Sequence, residues 1–182
     1  AVAAITIATT IQDIVVVLFQ GLSAATAVIL GNELGAGKIK RAEKYATQFF
    51  ILQFIVTIAS AFVVIGIRGP LIGLYNITEA VGRDVNICIL IFACYMPAKM
   101  FNYVNVVGVL RSGGDTKMCL FLDASGVWCI GVPLAFLGAL VWHLPIYVVY
   151  GLVMLEEVYK AVLGYIRYRQ KKWLRNLTVQ VR

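Results

Sequence analysis

Between Tyr45 and Ile67 the chain runs 23 residues without an Asp, Glu, Lys or Arg. At 1.5 Å rise per residue such a segment, wound as a helix, crosses about 30 Å of hydrocarbon. Four more segments have the same character. Residues 1–31 are broken by Asp13 alone, 85–110 by Lys99 alone and 118–141 by Asp123 alone, while 145–166 carries Glu156, Glu157 and Lys160. Membrane strands alternate apolar and polar residues over about 10 positions, whereas these runs are apolar on every face for twice that length. The composition agrees, with 61% hydrophobic and 14% charged residues against about 25% charged in soluble domains. A soluble globular protein is excluded, and an all-α integral membrane bundle of five spans is predicted.

The connections carry helix-end punctuation. Leu34-Gly35-Ala36-Gly37 follows the first span, Arg68-Gly69-Pro70 the second and Ser112-Gly113-Gly114-Asp115 the third. Asp84 is placed in the first turn of span three and Pro145 in that of span five, where a carboxylate and a missing N–H are both tolerated. Lys38, Lys40, Arg41 and Lys44, then Arg111 and Lys117, then the basic residues of the tail 167–182 fall on one side: twelve basic residues against two on the other. The richer side is expected to be cytoplasmic, which puts the C-terminus inside. Topology thus accounts for the net charge of +7 without nucleic acid, and the tail is expected to meet anionic lipid headgroups. Residue 1 is Ala within an apolar run, so a longer native chain is expected.

Most soluble-enzyme chemistry has no residues to work with. The single histidine, His143, permits neither a histidine-ligated metal site nor a Ser-His-Asp arrangement. Cys88, Cys94, Cys119 and Cys129 form no CxxC pair and read as buried thiols. The stretch GNELGAGK at 31–38 fails as a phosphate loop, because its glycine spacing is one residue too long and Ile39 replaces the required hydroxyl. No catalytic residue, cofactor or metal is expected.

Function in a membrane bundle concentrates at polar residues inside spans, because each ion there carries an insertion penalty of about 2.5–3.5 kcal/mol. Thr6, Thr9, Asp13, Gln20 and Ser23 share one face of span one at spacings of three, four and seven. Asp13 either bonds a partner helix or takes up a proton or hard cation. In span three, Pro97 predicts a kink and hinge, beside a patch of Tyr95, Lys99, Asn102 and Asn105. Lys99 is open to pairing with a carboxylate such as Asp13 or Asp123. In span five, Lys160 follows Glu156 by four and Glu157 by three, so it neutralises one of them. Glu157 shares its face with Met154 and Tyr150, a surface suited to an apolar cation.

The segments GLSAATAVILGNELGAGKIKRAEKYA at 21–46, VLRSGGDTK at 109–117, GVWCIGVPLAFL at 126–137 and VYGLVMLEEVYKAVLGYIRYRQKKWLRNLT at 149–178, taken in order, resemble the multidrug and toxic compound extrusion (MATE) family over essentially the whole chain. The resemblance implies two lobes of six helices each, with these five spans as the last five of the C-terminal lobe. The N-terminal lobe of the same transporter is then an expected partner. It further implies export of small organic cations or drugs from the cell, across the plasma membrane, in exchange for protons or sodium ions. Family cation sites in this lobe use acidic residues of its first and fourth helices, and span three offers Lys99, Asn102 and Asn105 without an acid. Asp13, then Glu157, are the remaining candidates for ion coupling, with Thr6, Thr9, Gln20, Lys99, Asn102, Asn105, Tyr150 and Met154 lining the cavity. The turns 35–41 and 111–117 would be cytoplasmic hinges or closing contacts. Other readings are a lipid-carrier flippase, which an unpaired Lys99 would favour, and a non-transporting accessory subunit.

Overall fold

The computed structural model describes residues 2–75 and 77–175, with side chains from residue 5 onward; Asn76 and the end of the basic tail, residues 176–182 with Arg182, lie outside them. Five long helices follow in chain order. They are α1 (Val2–Gly35), α2 (Ile39–Gly73), α3 (Glu79–Leu110), α4 (Thr116–Val141) and α5 (Ile146–Arg169). Four of them, α1 to α4, are long and apolar enough to cross a membrane. The fifth has 24 residues, with Glu156, Glu157 and Lys160 in its middle and Arg167 and Arg169 in its last turn.

The interior is built from stripes at helical spacing. On α1 the buried positions Ile7, Ile11, Val16, Phe19, Ser23, Thr26, Leu30 and Leu34 recur every three to five residues. α3 is central and packs against every other helix, while α4 also lies along α5. Two apolar clusters stack along the bundle. One joins Phe19, Val85, Ile89, Phe92, Met96 and Met100. The other, at the basic end, joins Leu30, Leu34, Val109, Leu110, Leu122 and Trp173. Outward faces are also apolar: Val17, Val28, Phe54, Phe62, Leu120 and Trp128 are all exposed. An exterior of this kind suits hydrocarbon, since lipid tails are as apolar as leucine.

Winding departs from α in α3 and α4. From Tyr103 to Leu110, α3 opens into π geometry, and the Arg111 N–H donates to the Val106 carbonyl five residues back. α4 does the same at Val127–Gly131 and Leu137–Val141. Such segments are rare and concentrate at functional sites. On the α1 side of this stretch Ser23 Oγ donates to the Tyr103 carbonyl at 2.8 Å. The backbone of Gly108 comes so close to Thr26 that a Cβ would stand 3.0 Å from that side chain.

Several expectations are corrected. Arg68-Gly69-Pro70 does not end the second helix, which continues to Gly73 with Pro70 inside it; proline removes one hydrogen bond, and membrane helices accommodate that loss. The first-turn acid of α3 is Glu79 rather than Asp84, because the helix begins six residues before the apolar run. Pro145 caps α5 from outside, a one-residue shift of the kind helix ends show. Cys94 and Cys129 are exposed on outward helix faces, whereas Cys88 and Cys119 are buried. The turns at Gly37 (φ 71°) and Gly114 (φ 76°) are where the sequence places them, and both use the left-handed backbone that glycine adopts freely.

Candidate functional site

Three residues apart on α3, Lys99 and Asn102 face the middle of α5, where Glu157 and Lys160 stand three apart. The Glu157 carboxylate is their common centre. Lys99 Nζ lies 3.4 Å from its Oε1 and Lys160 Nζ 3.3 Å from its Oε2. Asn102 Nδ2 donates to the same Oε2 at 2.9 Å and to the Glu157 carbonyl at 2.8 Å. Lys160 also donates to Glu156 Oε1 at 3.3 Å, one turn back. Glu157 and Lys160 are buried, and a buried charge is tolerated only when paired and hydrogen-bonded in this way.

Small residues opposite make room for these side chains. At Gly126 of α4 a Cβ would collide with the stem of Lys160, and at Gly131 with the Glu156 carboxylate. On α5, Gly164 faces the Asn105 amide, which a Cβ there would meet at 2.8 Å. A cavity of about 140 Å³ opens against the cluster, lined by Lys99, Asn102, Tyr103, Asp123, Glu157 and Lys160. Asn102 Oδ1 and both amide atoms of Asn105 are buried without a hydrogen-bond partner. Such groups cost about 1–3 kcal/mol each when left so. They are therefore acceptors and donors held ready next to the ion pairs.

The structure brings Lys99, Asn102 and Glu157 together as one group, with Asn105 buried on the next turn of α3. Lys99 pairs with Glu157, not with Asp13 or Asp123. Lys160 reaches both glutamates rather than neutralising one. Tyr150 and Met154 are buried on the same face of α5, and the Tyr150 hydroxyl donates to Gln12 Oε1 at 2.8 Å. Asp13, Thr6 and Gln20 lie on the exposed side of α1 with Thr9 at its edge, and Thr9 Oγ1 donates back to the Ile5 and Thr6 carbonyls. Winding continues helically through Pro97, which lines an outward apolar groove with Phe50, Phe54 and Phe101.

Sequence reasoning missed three residues here. Gln12 of α1, four positions before Val16 on the buried stripe, reaches the core together with Ser23 and Thr26. Asp115 and Arg167 form a fork at the basic end, with Arg167 Nε and Nη2 donating to Oδ2 and Oδ1, the latter at 2.9 Å. These hydrogen bonds raise the pKa of Arg167. The tail is therefore not wholly given to lipid: Arg167 is held by Asp115, Lys171 by Glu43, and Trp173 is fully buried.

An apolar exterior around α-helices and a charged cluster buried between two of them define a polytopic helix bundle of the membrane. The chain belongs to the MatE family, whose profile matches residues 1–137. It is 22% identical over 153 residues to the uncharacterized transporter YisQ of Bacillus subtilis (strain 168), covering 84% of this chain and 33% of that protein. It is 28% identical over 139 residues to multidrug resistance protein MdtK of Yersinia pseudotuberculosis serotype O:1b (strain IP 31758), covering 75% of this chain and 30% of that one. MdtK of Yersinia pestis (strain Pestoides F) gives the same identity and coverage. The chain thus spans about a third of the length of these relatives. The family match ends within α4, before the helix that carries Glu157.

Proposed function

We propose that this chain forms the last five helices of the C-terminal lobe of a multidrug efflux antiporter of the plasma membrane. Small organic cations or drugs leave the cell as protons or sodium ions enter, and the cavity between two lobes opens to each side in turn. The observation that carries this reading is the Lys99–Asn102–Glu157–Lys160 group, charged, buried and set against a cavity at mid-helix. Ion pairs inside a membrane bundle mark ion and substrate paths, and a carboxylate that binds an ion in one state and releases it in the other supplies the coupling.

The exposed Thr6, Asp13 and Gln20 support a second lobe as partner. A carboxylate on a lipid-facing helix would be costly, whereas the same stripe suits a wet cavity between lobes. The basic end, with the 35–41 and 111–117 turns, is read as cytoplasmic, and its unpaired lysines and arginines as contacts for lipid headgroups. Pairing of Lys99 with Glu157 favours this reading over a lipid-carrier flippase.

The test is energised efflux of a cationic dye from cells that lack their own efflux pumps and express the full-length transporter. Glu157→Gln is expected to abolish efflux with the protein still in the membrane. Asp13→Asn reports the contribution of the stripe. Unchanged efflux and ion dependence in Glu157→Gln would refute the role of the cluster.

A further inference from the structure

Both oxygens of the Glu157 carboxylate are already addressed by nitrogen. Oε1 faces the Lys99 ammonium, and Oε2 faces the Lys160 ammonium and the Asn102 amide. We propose that Lys99 reserves Glu157 for protons and excludes sodium, which makes it the specificity-determining residue for the coupling ion. The proposal rests on the antiporter reading above and deepens it.

A metal cation is held by several oxygen ligands that converge on it. Around Glu157 the converging groups are N–H donors, two of them positively charged, and a sodium ion would have to displace an ammonium while remaining next to the other. The buried acceptors here without a donor are Asn102 Oδ1 and, on the next turn of α3, Asn105 Oδ1, and two neutral carbonyls are no cage. Among the described residues no three His, Cys, Asp or Glu side chains gather to hold a metal ion. A proton makes none of these demands. It passes from hydronium to one carboxylate oxygen, leaving water and a neutral carboxyl, while Lys99 and Lys160 keep their charges and lose the ion pair.

The surroundings turn that step into exchange. The titratable groups facing Glu157 are Glu156, Lys160 and Tyr150 on α5, Lys99 and Tyr103 on α3 and Asp123 on α4; α1 contributes the uncharged Gln12. The cavity itself is lined by two carboxylates, Glu157 and Asp123, and two ammoniums, Lys99 and Lys160, which balance. One proton on Glu157 leaves that lining with one net positive charge, which repels an organic cation. Proton and substrate therefore compete for the same field without sharing a coordination shell.

The experiment uses the full-length transporter in liposomes with ethidium as the cationic probe. A pH gradient in sodium-free medium is compared with a sodium gradient at equal pH in the presence of a protonophore. The expected result is ethidium flux under the pH gradient at least roughly tenfold faster than under the sodium gradient, within the usual range of site-to-site coupling. Lys99→Met removes the guarding charge and is expected to gain sodium-driven flux. Wild-type flux driven by sodium overturns the proposal and leaves the antiporter reading standing. A monodisperse Lys99→Met protein without sodium-driven flux overturns the role of Lys99. Flux under neither gradient overturns the antiporter reading, and the proposal with it. The wild-type comparison decides the case even if the variant fails to fold.

Discussion

Removing the Trp173 side chain should release the segment that follows α5 from the basic end of the bundle. The indole is fully buried among Leu34, Val109, Leu110 and Cys119. Its Nε1 donates to the Tyr168 carbonyl at 3.3 Å, and its ring stacks on Tyr168 with centroids 5.7 Å apart. Behind it, the Trp173 carbonyl occupies the place that a Cβ on Gly113 would take. Truncating a buried Trp to Ala costs about 3–5 kcal/mol. The lower figure applies where the segment that carries the residue is able to settle into the space, and about 3 kcal/mol raises the open population roughly 100-fold. Trypsin reads that population at Lys171 and Lys172 when opening and closing outpace cleavage. With the intact transporter in inside-out vesicles, Trp173→Ala should be cut roughly 100-fold faster there than wild type. Cleavage within about threefold of wild type would refute the anchoring role, since an ordinary surface substitution changes stability by no more than about 0.5 kcal/mol.

The Asp115–Arg167 fork should lose about 1–3 kcal/mol in Asp115→Asn, read as a lower melting temperature in detergent, and Arg167→Lys should not rescue it because an ammonium cannot fork. The bonds to Asp115 raise the pKa of Arg167, so this contribution is present below the ordinary arginine range and lost only above it; melting should show no step where lysines titrate, near about 10.4. Gly108→Leu should drive α1 from α3 and abolish a monodisperse peak in size-exclusion chromatography, whereas Gly21→Ala, with nothing near its Cβ position, should be neutral or stabilise by up to about 1 kcal/mol. Tyr150→Phe leaves the Gln12 amide oxygen without its donor and should cost about 1–3 kcal/mol; in the double variant with Gln12→Leu the loss should be smaller than the sum of the two singles, as thermal melts would show.

The helices were legible because a run such as Tyr45 to Ile67 admits no other structure in hydrocarbon. Their faces were not. A helix that is apolar all round gives its sequence no side to prefer, and adjacent residues differ by 100° around it. The stripe through Asp13 and the stripe through Gln12 are both regular, and only packing against α3 and α5 puts Gln12 inside. Lys99 and Glu157 are each conspicuous as charges within a span. Their meeting joins positions 58 residues apart along the chain, which no local spacing expresses. Pro70 misled in the opposite direction, since a signal that ends helices in water is tolerated in a membrane. Trp173 stands in a basic tail whose charges point to lipid, and its burial depends on the Gly113 turn beneath it.

The glycines opposite the charged cluster have a consequence for inheritance. Gly126 and Gly131 on α4 hold the space that Lys160 and Glu156 of α5 fill, so a larger residue at either position survives only if the charge across from it is shortened or removed. Conversely, a lineage that loses the charges leaves gaps that a larger residue at either glycine is able to fill. The two helices should drift as a pair, and relatives should show small residues at these two positions of α4 wherever they retain the charges on α5.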